Sequence, residues 1–233
     1  MIFERRAYTF RPGNVQPFWD AQLEWNTEAV FGPIRKHVIS YFSTTSGPQN
    51  QVVHLYGFAS LDEWHTTYAR YYAAQNPDYF ALVRSWMLAQ ENNFLSPAPL
   101  GELAAGWTSN PPRLPAGLEG RAASGDYCVV ETTLAFFPGG LPAYWKACEG
   151  HRLGDGAPAR RNLMAELFTL IGPLHRVRRY EAFASEADAH AEFAARAKDP
   201  KWQAFVADYT KWVAGEEVLF LRPSPLESRR MLV

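Results

Sequence analysis

The chain has 233 residues, 47% of them hydrophobic, 20% charged and 15% aromatic, with a formal net charge of −1. That length suits one large domain or two small ones, and the mixture is that of an ordinary globular core enriched in aromatic area. The balanced charge argues against a nucleic-acid partner and a basic membrane-binding patch, and two cysteines, Cys128 and Cys148, are too few for a disulfide framework and lack metal-ligand spacing.

The opening segment, "MIFERRAYTFRPG", alternates from its first residues and has no apolar signal-peptide core. It predicts a strand over Ile2–Phe10, stopped by Pro12-Gly13, and the chain as a whole is expected in a reducing, cytoplasmic compartment. No apolar run is long enough for a membrane span. Val15, Phe18, Trp19, Leu23, Asn26 and Val30 then recur at helical spacing. Strands are expected over about 37–45 and 51–59, joined as a hairpin at Gly47-Pro48. Leu61, Trp64, His65, Tyr68 and Tyr72 mark one face of a second helix. After Pro77 a short helix carries Tyr79, Leu82, Val83 and Trp86, and a last strand covers about 90–95. Residues 96–125 are rich in proline and glycine without a period, which is linker composition, with Trp107 and Leu114 expected to lie on the domain surfaces.

The chain then repeats itself. At an offset of 126, Phe10, Pro12, Gly13 and Trp19 fall on Phe136, Pro138, Gly139 and Trp145. At 125, Gly47-Pro48, Val52, Phe58-Ala59-Ser60 and His65 fall on Gly172-Pro173, Val177, Phe183-Ala184-Ser185 and His190. At 126 again, "LSPAPL" from Leu95 matches "LRPSPL" from Leu221. The domain division is a first repeat over 1–100, a linker over 101–125, a second, degenerate repeat over 126–226 and a tail over 227–233. Each repeat reads β-α-β-β-α-β, the ferredoxin-like split βαβ unit of the α+β class. Its sheet has helices on one face only, so the bare face must be covered. Two copies in one chain cover each other, predicting an intramolecular dimeric α/β barrel.

The residues also resemble a known family. Glu4, Arg6, Tyr8, Thr9, Pro12 and Gly13 match the E-x-R-x-Y-T-x-x-P-G strand of the NIPSNAP family, and Gly47, Asn50, Val52, His54, Leu55 and Tyr56 match its G-x-x-N-x-V-x-H-L-aromatic hairpin. The match is good over 2–100 and degenerate over 127–226. It implies the dimeric α/β-barrel superfamily, which also holds antibiotic-type monooxygenases, haem-degrading enzymes and chlorite-dismutase-like and EthD-like proteins. It implies no single activity for this chain.

Arg6 and Tyr8 share a strand face, as do Asn50, Val52, His54, Tyr56 and Phe58. In the strand order 4-1-3-2 the first and third strands are neighbours, so Arg6, Tyr8, Asn50 and His54 converge. A tight hairpin sets His54 opposite Tyr41. Such polar groups at a sheet centre are costly unless paired, hydrated or facing a ligand. The candidate catalytic residues are therefore His54 and Tyr8, and the candidate ligand-binding residues are Arg6, Asn50, Tyr41 and Tyr56. Mutual satisfaction of these groups, without a ligand, is the competing reading.

In the second repeat the equivalents are Thr132, Leu134, His175, Arg179 and Glu181, so any pocket is asymmetric. The hairpin register sets Arg179 opposite Glu166 and predicts a structural ion pair. His65 and His190, on the apolar helix face, lack companions for a metal site. No haem-attachment, Walker, G-x-S-x-G or G-x-G-x-x-G motif occurs. In "GDGAPARR", Asp155, Arg160 and Arg161 read as a solvated loop. The expected function is binding or transformation of a small molecule in a barrel pocket, by cofactor-independent oxygenase or isomerase-like chemistry with no cofactor and no metal. A non-catalytic binding or assembly module is the alternative, and the aromatic load predicts a homo-oligomer formed by further pairing.

Overall fold

A computed structural model describes residues 1–25, 28–74, 77–109, 112–152 and 160–227. Asn26, Asp155 and the tail from 228 lie outside the described residues, as does the side chain of Val30. In chain order the first repeat contains β1 (Ile2–Phe10), α1 (Val15–Glu24), α2 (Glu28–Arg35), β2 (Val38–Ser46), β3 (Gln51–Phe58), α3 (Leu61–Ala73), α4 (Pro77–Trp86) and β4 (Met87–Pro97). After α5 (Ala105–Thr108) in the linker come β5 (Cys128–Phe136), α6 (Gly140–Gly150), β6 (Leu163–Ile171), β7 (Arg176–Phe183), α7 (Glu186–Arg196), α8 (Pro200–Thr210) and β8 (Val213–Pro223).

The repeated words of the sequence have local causes. In each Gly-Pro hairpin the glycine takes positive φ, 99° at Gly47 and 124° at Gly172, and the last turn residue does so too, 57° at Asn50 and 59° at His175. "FAS" is a strand end followed by a helix N-cap: Ser60 Oγ accepts from the Glu63 amide, and Ser185 Oγ from the Asp188 amide. The first helix divides into α1 and α2. On α1 the buried polar residue is Gln22, whereas Leu23 is exposed. On α3 the buried residues are Thr67, Tyr68 and Tyr71, so His65 is exposed. His190 is also exposed and stacks on Phe220. Both histidines were expected on the apolar face. Aromatic-rich helices offer overlapping apolar stripes, and contact with the sheet selects one of them.

All eight strands pair antiparallel in one closed barrel, β1-β3-β2-β8-β5-β7-β6-β4. Within each repeat the order is 4-1-3-2, as expected. The repeats are joined by hydrogen-bonded seams, Phe42–Ser46 of β2 with β8 and Phe94–Pro97 of β4 with β6. Closure removes free edges along those segments. β1 and β5 run in the same direction, so the pseudo-twofold axis follows the barrel axis.

Phe3, Phe42, Val53, Leu55, Leu95, Val129, Leu167, Tyr180 and Leu221 pack together inside the barrel. The expectation of a ligand pocket in the barrel is therefore corrected: the middle of the barrel is core. The linker is also more than surface cover. Trp107 is fully buried, its ring 4.5 Å from Tyr180 and 6.0 Å from Phe3, and Leu114 and Leu118 join the same cluster. It plugs the end at which β1 and β5 begin, where the apolar inner faces of both repeats would otherwise meet water. Among the described residues no helix is long and apolar enough to cross a membrane.

Candidate functional site

Alternate residues of β1 and β3 face outward, under the helices of the first repeat. Pairing of β1 with β3 sets Arg6 beside His54 and Tyr8 beside Val52, and pairing of β2 with β3 sets Tyr41 beside His54. The result is a cavity of about 80 Å³ whose inner wall includes Arg6, Tyr8, Tyr41, His54, Tyr56 and Tyr68. It reaches the exposed residues Tyr72, Arg84 and Gln90, at the ends of α3, α4 and the start of β4. That volume exceeds the ~10–15 Å³ a single water needs and falls short of the ~300 Å³ of a drug-sized pocket. It matches the reacting end of a small molecule.

His54 is held in a cage of rings. Its imidazole stacks on Tyr41 at 3.5 Å and 5°, Tyr8 meets it edge-on at 5.0 Å, and Phe18 lies at 5.9 Å. Its Nδ1 is 3.2 Å from the Tyr56 hydroxyl, and the Tyr41 and Tyr56 hydroxyls share a hydrogen bond of 2.6 Å. Which group donates depends on the histidine tautomer.

Arg6 carries the positive charge of the site. Its Nε donates to Glu4 Oε1 at 2.8 Å, and its guanidinium lies 4.0 Å from the centroid of Tyr68. Asn92 donates to the same Glu4 oxygen. Burial opposes the charge, but the Glu4 carboxylate and the face of the Tyr68 ring favour it, and the guanidinium stays protonated. Burial pushes the Tyr8 phenol above its ordinary value despite the opposing pull of Arg6, and pushes Tyr56 and Tyr68 well above. At neutral pH these phenols are hydrogen-bond donors and not bases.

Of the six expected residues, the structure brings five together: Arg6, Tyr8, Tyr41, His54 and Tyr56. Asn50 is placed elsewhere. It is the positive-φ residue of the β2–β3 turn, and its carbonyl accepts from the Phe10 amide at 2.9 Å. Asparagine tolerates that conformation, which is why it stands there. Sequence reasoning missed Glu4, Gln22, Tyr71 and Tyr79. Glu4 was findable, since it lies two residues before Arg6 on the same face. Tyr79, which meets the buried Gln22 in a hydrogen bond, was not. Among the described residues no cluster of three or more His, Cys, Asp or Glu side chains is arranged to hold a metal ion.

The corresponding space in the second repeat holds a network of buried charges. Glu166 and Arg179 are register partners across β6 and β7, as expected, but they do not form the expected ion pair. Glu166 binds Arg160 and accepts from the Tyr144 hydroxyl at 2.9 Å. Arg179 pairs with Glu181 at 3.1 Å, and Arg196 pairs with the same carboxylate at 2.6 Å. All three guanidiniums surround the Trp202 ring, at 5.8, 5.6 and 5.0 Å. Arg160, read as loop surface, is a buried member of this network.

The NIPSNAP family model matches residues 3–101 and 133–226. Among solved structures, a putative monooxygenase from Fusobacterium nucleatum superposes with a TM-score of 0.62 at 8% identity, covering 99% of this chain and 95% of the other. An anthrone oxidase-like protein gives 0.60 at 14% identity, with 95% and 90% covered. A putative monooxygenase from Lactobacillus acidophilus gives 0.57 at 10% identity, with 96% and 93% covered. At these identities the likeness is one of fold. No curated protein matches the chain.

Proposed function

The chain belongs to the NIPSNAP family, and we propose that its first repeat binds a small organic molecule in the Arg6–Tyr8–His54 cavity and transforms it by cofactor-independent oxygenase or isomerase-like chemistry. The observation that carries this reading is a firmly protonated guanidinium and an imidazole on the wall of one tyrosine-lined cavity that opens to the surface. A substrate with an acidic C–H next to a carbonyl suits that wall. His54 accepts the proton, while Arg6 and the neutral phenols of Tyr8 and Tyr56 donate to the oxygen on which negative charge develops. The resulting carbanion reacts with dioxygen in the oxygenase case, or regains its proton at another carbon in the isomerase case. Neighbours of the same fold described as putative monooxygenases and as anthrone oxidase-like support that chemistry.

The test is dioxygen uptake and proton exchange on enolisable probes, anthrone and 1,3-cyclohexanedione, with native mass spectrometry of the purified protein for a retained ligand. His54→Ala is expected to lower turnover by about 10²–10⁴-fold. Turnover unchanged by His54→Ala and by Tyr8→Phe would sink the site. A retained molecule with no turnover on any probe favours the non-catalytic binding module. Further pairing of the pseudo-dimer into a homo-oligomer belongs to the same proposal, and a monomeric mass by light scattering would refute it.

A further inference from the structure

The barrel has two unlike ends. The linker plugs the end where β1 begins, whereas the end where β1 finishes carries a cleft of about 430 Å³ whose lining includes Arg5, Arg176, Arg178, Glu91, Glu217 and Leu219. Arg5 and Arg178 are each 3% exposed. Both bind a single carboxylate: Arg5 Nε donates to Glu131 Oε2 at 2.8 Å, and Arg178 Nη1 donates to Glu131 Oε1 at 2.6 Å and to Thr133 Oγ1 at 2.9 Å. Two cations share one anion, so the trio keeps a net positive charge inside the barrel. Arg178 Nε is buried without a hydrogen-bond partner among the described residues. A buried guanidinium with unused donors is costly.

The mouth has the opposite sign. Glu91 and Glu217 are exposed, occupy the same position of the two repeats, and outnumber Arg176 there. Pairing sets Arg178 and Glu217 on either side of Thr133, so their Cα atoms are about 10 Å apart across β5. The cleft is thus positive at its floor and negative at its rim, with apolar wall between. A plain anion meets repulsion on entry, and a plain cation meets the arginines below.

We propose that this mouth of the barrel is a second ligand site, which takes a small aminocarboxylate with its carboxylate on Arg5 and Arg178 and its ammonium between Glu91 and Glu217. Guanidinium–carboxylate pairing supplies the inner anchor, and the rim selects the zwitterion. The site lies on the other side of the sheet from the His54 cavity and is independent of it.

Isothermal titration of the full chain with δ-aminovalerate, valerate and amylamine tests this. The expected result is saturable binding of δ-aminovalerate, at least tenfold tighter than either half-molecule and unaltered in His54→Ala. Glu217→Gln, an exposed change that leaves the fold alone, is expected to erase most of the preference over valerate. Arg178→Met is expected to abolish binding; should it not fold, the exposed Glu91→Gln serves instead and is expected to erase the preference over valerate as Glu217→Gln does. No saturable binding of δ-aminovalerate, valerate binding as tight, or a preference untouched by Glu217→Gln would overturn the proposal.

Discussion

Arg5 and Glu131, the same position of the two repeats, meet inside the barrel with Arg5 Nε 2.8 Å from Glu131 Oε2. The pseudo-twofold axis brings equivalent positions face to face. In a barrel made from two identical chains this contact joins like to like, Arg to Arg or Glu to Glu, and is repulsive. Duplication within one chain permits opposite charges at a single position, and Arg178 then adds a second donor to the same carboxylate. Fusion of the halves thus allows a buried charge pair on the axis that no exact dimer can have.

The first prediction follows from that contact. Glu131→Gln leaves two buried arginines without their anion and is expected to cost about 3–5 kcal/mol. Burial raises the Glu131 carboxyl, but Arg5 and Arg178 outweigh it and hold it below its ordinary range near 4.5. A carboxylate depressed in the folded state stabilises above its unfolded value, and that contribution is lost as pH falls through the folded one. Urea denaturation between pH 7 and pH 3 is therefore expected to show a steep acid loss in the wild type and a shallower one in Glu131→Gln. Parallel curves would refute the assignment.

Tyr68 offers a test at the His54 cavity. Its hydroxyl is buried and has no hydrogen-bond partner among the described residues, while its ring supports the Arg6 guanidinium. Tyr68→Phe keeps the ring and removes an unpaired polar group, so stability is expected to stay within about 1 kcal/mol of wild type or to rise. Ligand retention or turnover is expected to fall, because a donor facing the cavity is gone. Thermal melts and binding are read side by side; a loss of several kcal/mol would mean that the hydroxyl serves the fold.

Much of this was legible in advance, and the gaps have physical causes. The Gly-Pro hairpins set the register, and the register sets His54 on Tyr41 and Arg179 beside Glu166. Register alone does not choose ion-pair partners: Arg160 reaches Glu166 from a loop whose composition reports only its backbone. Both faces of β1, β3, β5 and β7 are buried, so alternation does not separate the helix side, with Arg6, from the barrel interior, with Arg5. That is why the Arg5–Glu131 contact went unread although both residues fall on the repeat offset. The linker plug was hidden for a related reason. Proline and glycine mark turns but say nothing of what Trp107 covers.

The buried network of the second repeat is expected to be dispensable as a set and indispensable by its parts. Glu181→Leu alone strands Arg179, leaves Arg196 with Glu192 as its remaining carboxylate, and is expected to cost about 3–5 kcal/mol. The triple change Glu181→Leu, Arg179→Met, Arg196→Met replaces the triad by apolar groups of similar size, and is expected to return to wild-type stability or exceed it by about 1–4 kcal/mol. Chemical denaturation of both variants decides. A triple variant as unstable as the single one would show that these charges do more than fill the space that the first repeat keeps open.

The last prediction concerns the linker as the plug of one barrel end. Trp107→Ala empties a fully buried site between Phe3 and Tyr180 and is expected to cost about 3–5 kcal/mol. Gly106 tests the same docking from the backbone. A Cβ there meets the Met164 carbonyl oxygen at 2.6 Å, too close for any real contact, so Gly106→Ala must push the linker off β6. Both variants are expected to raise amide exchange in β6 and at the start of β1 while leaving the far mouth, with Arg178 and Glu217, protected as in the wild type. The contrast between the two ends is the critical reading. Uniform loss of protection along the barrel would mean that the linker stabilises the whole fold, and unchanged protection at both ends would mean that it closes nothing.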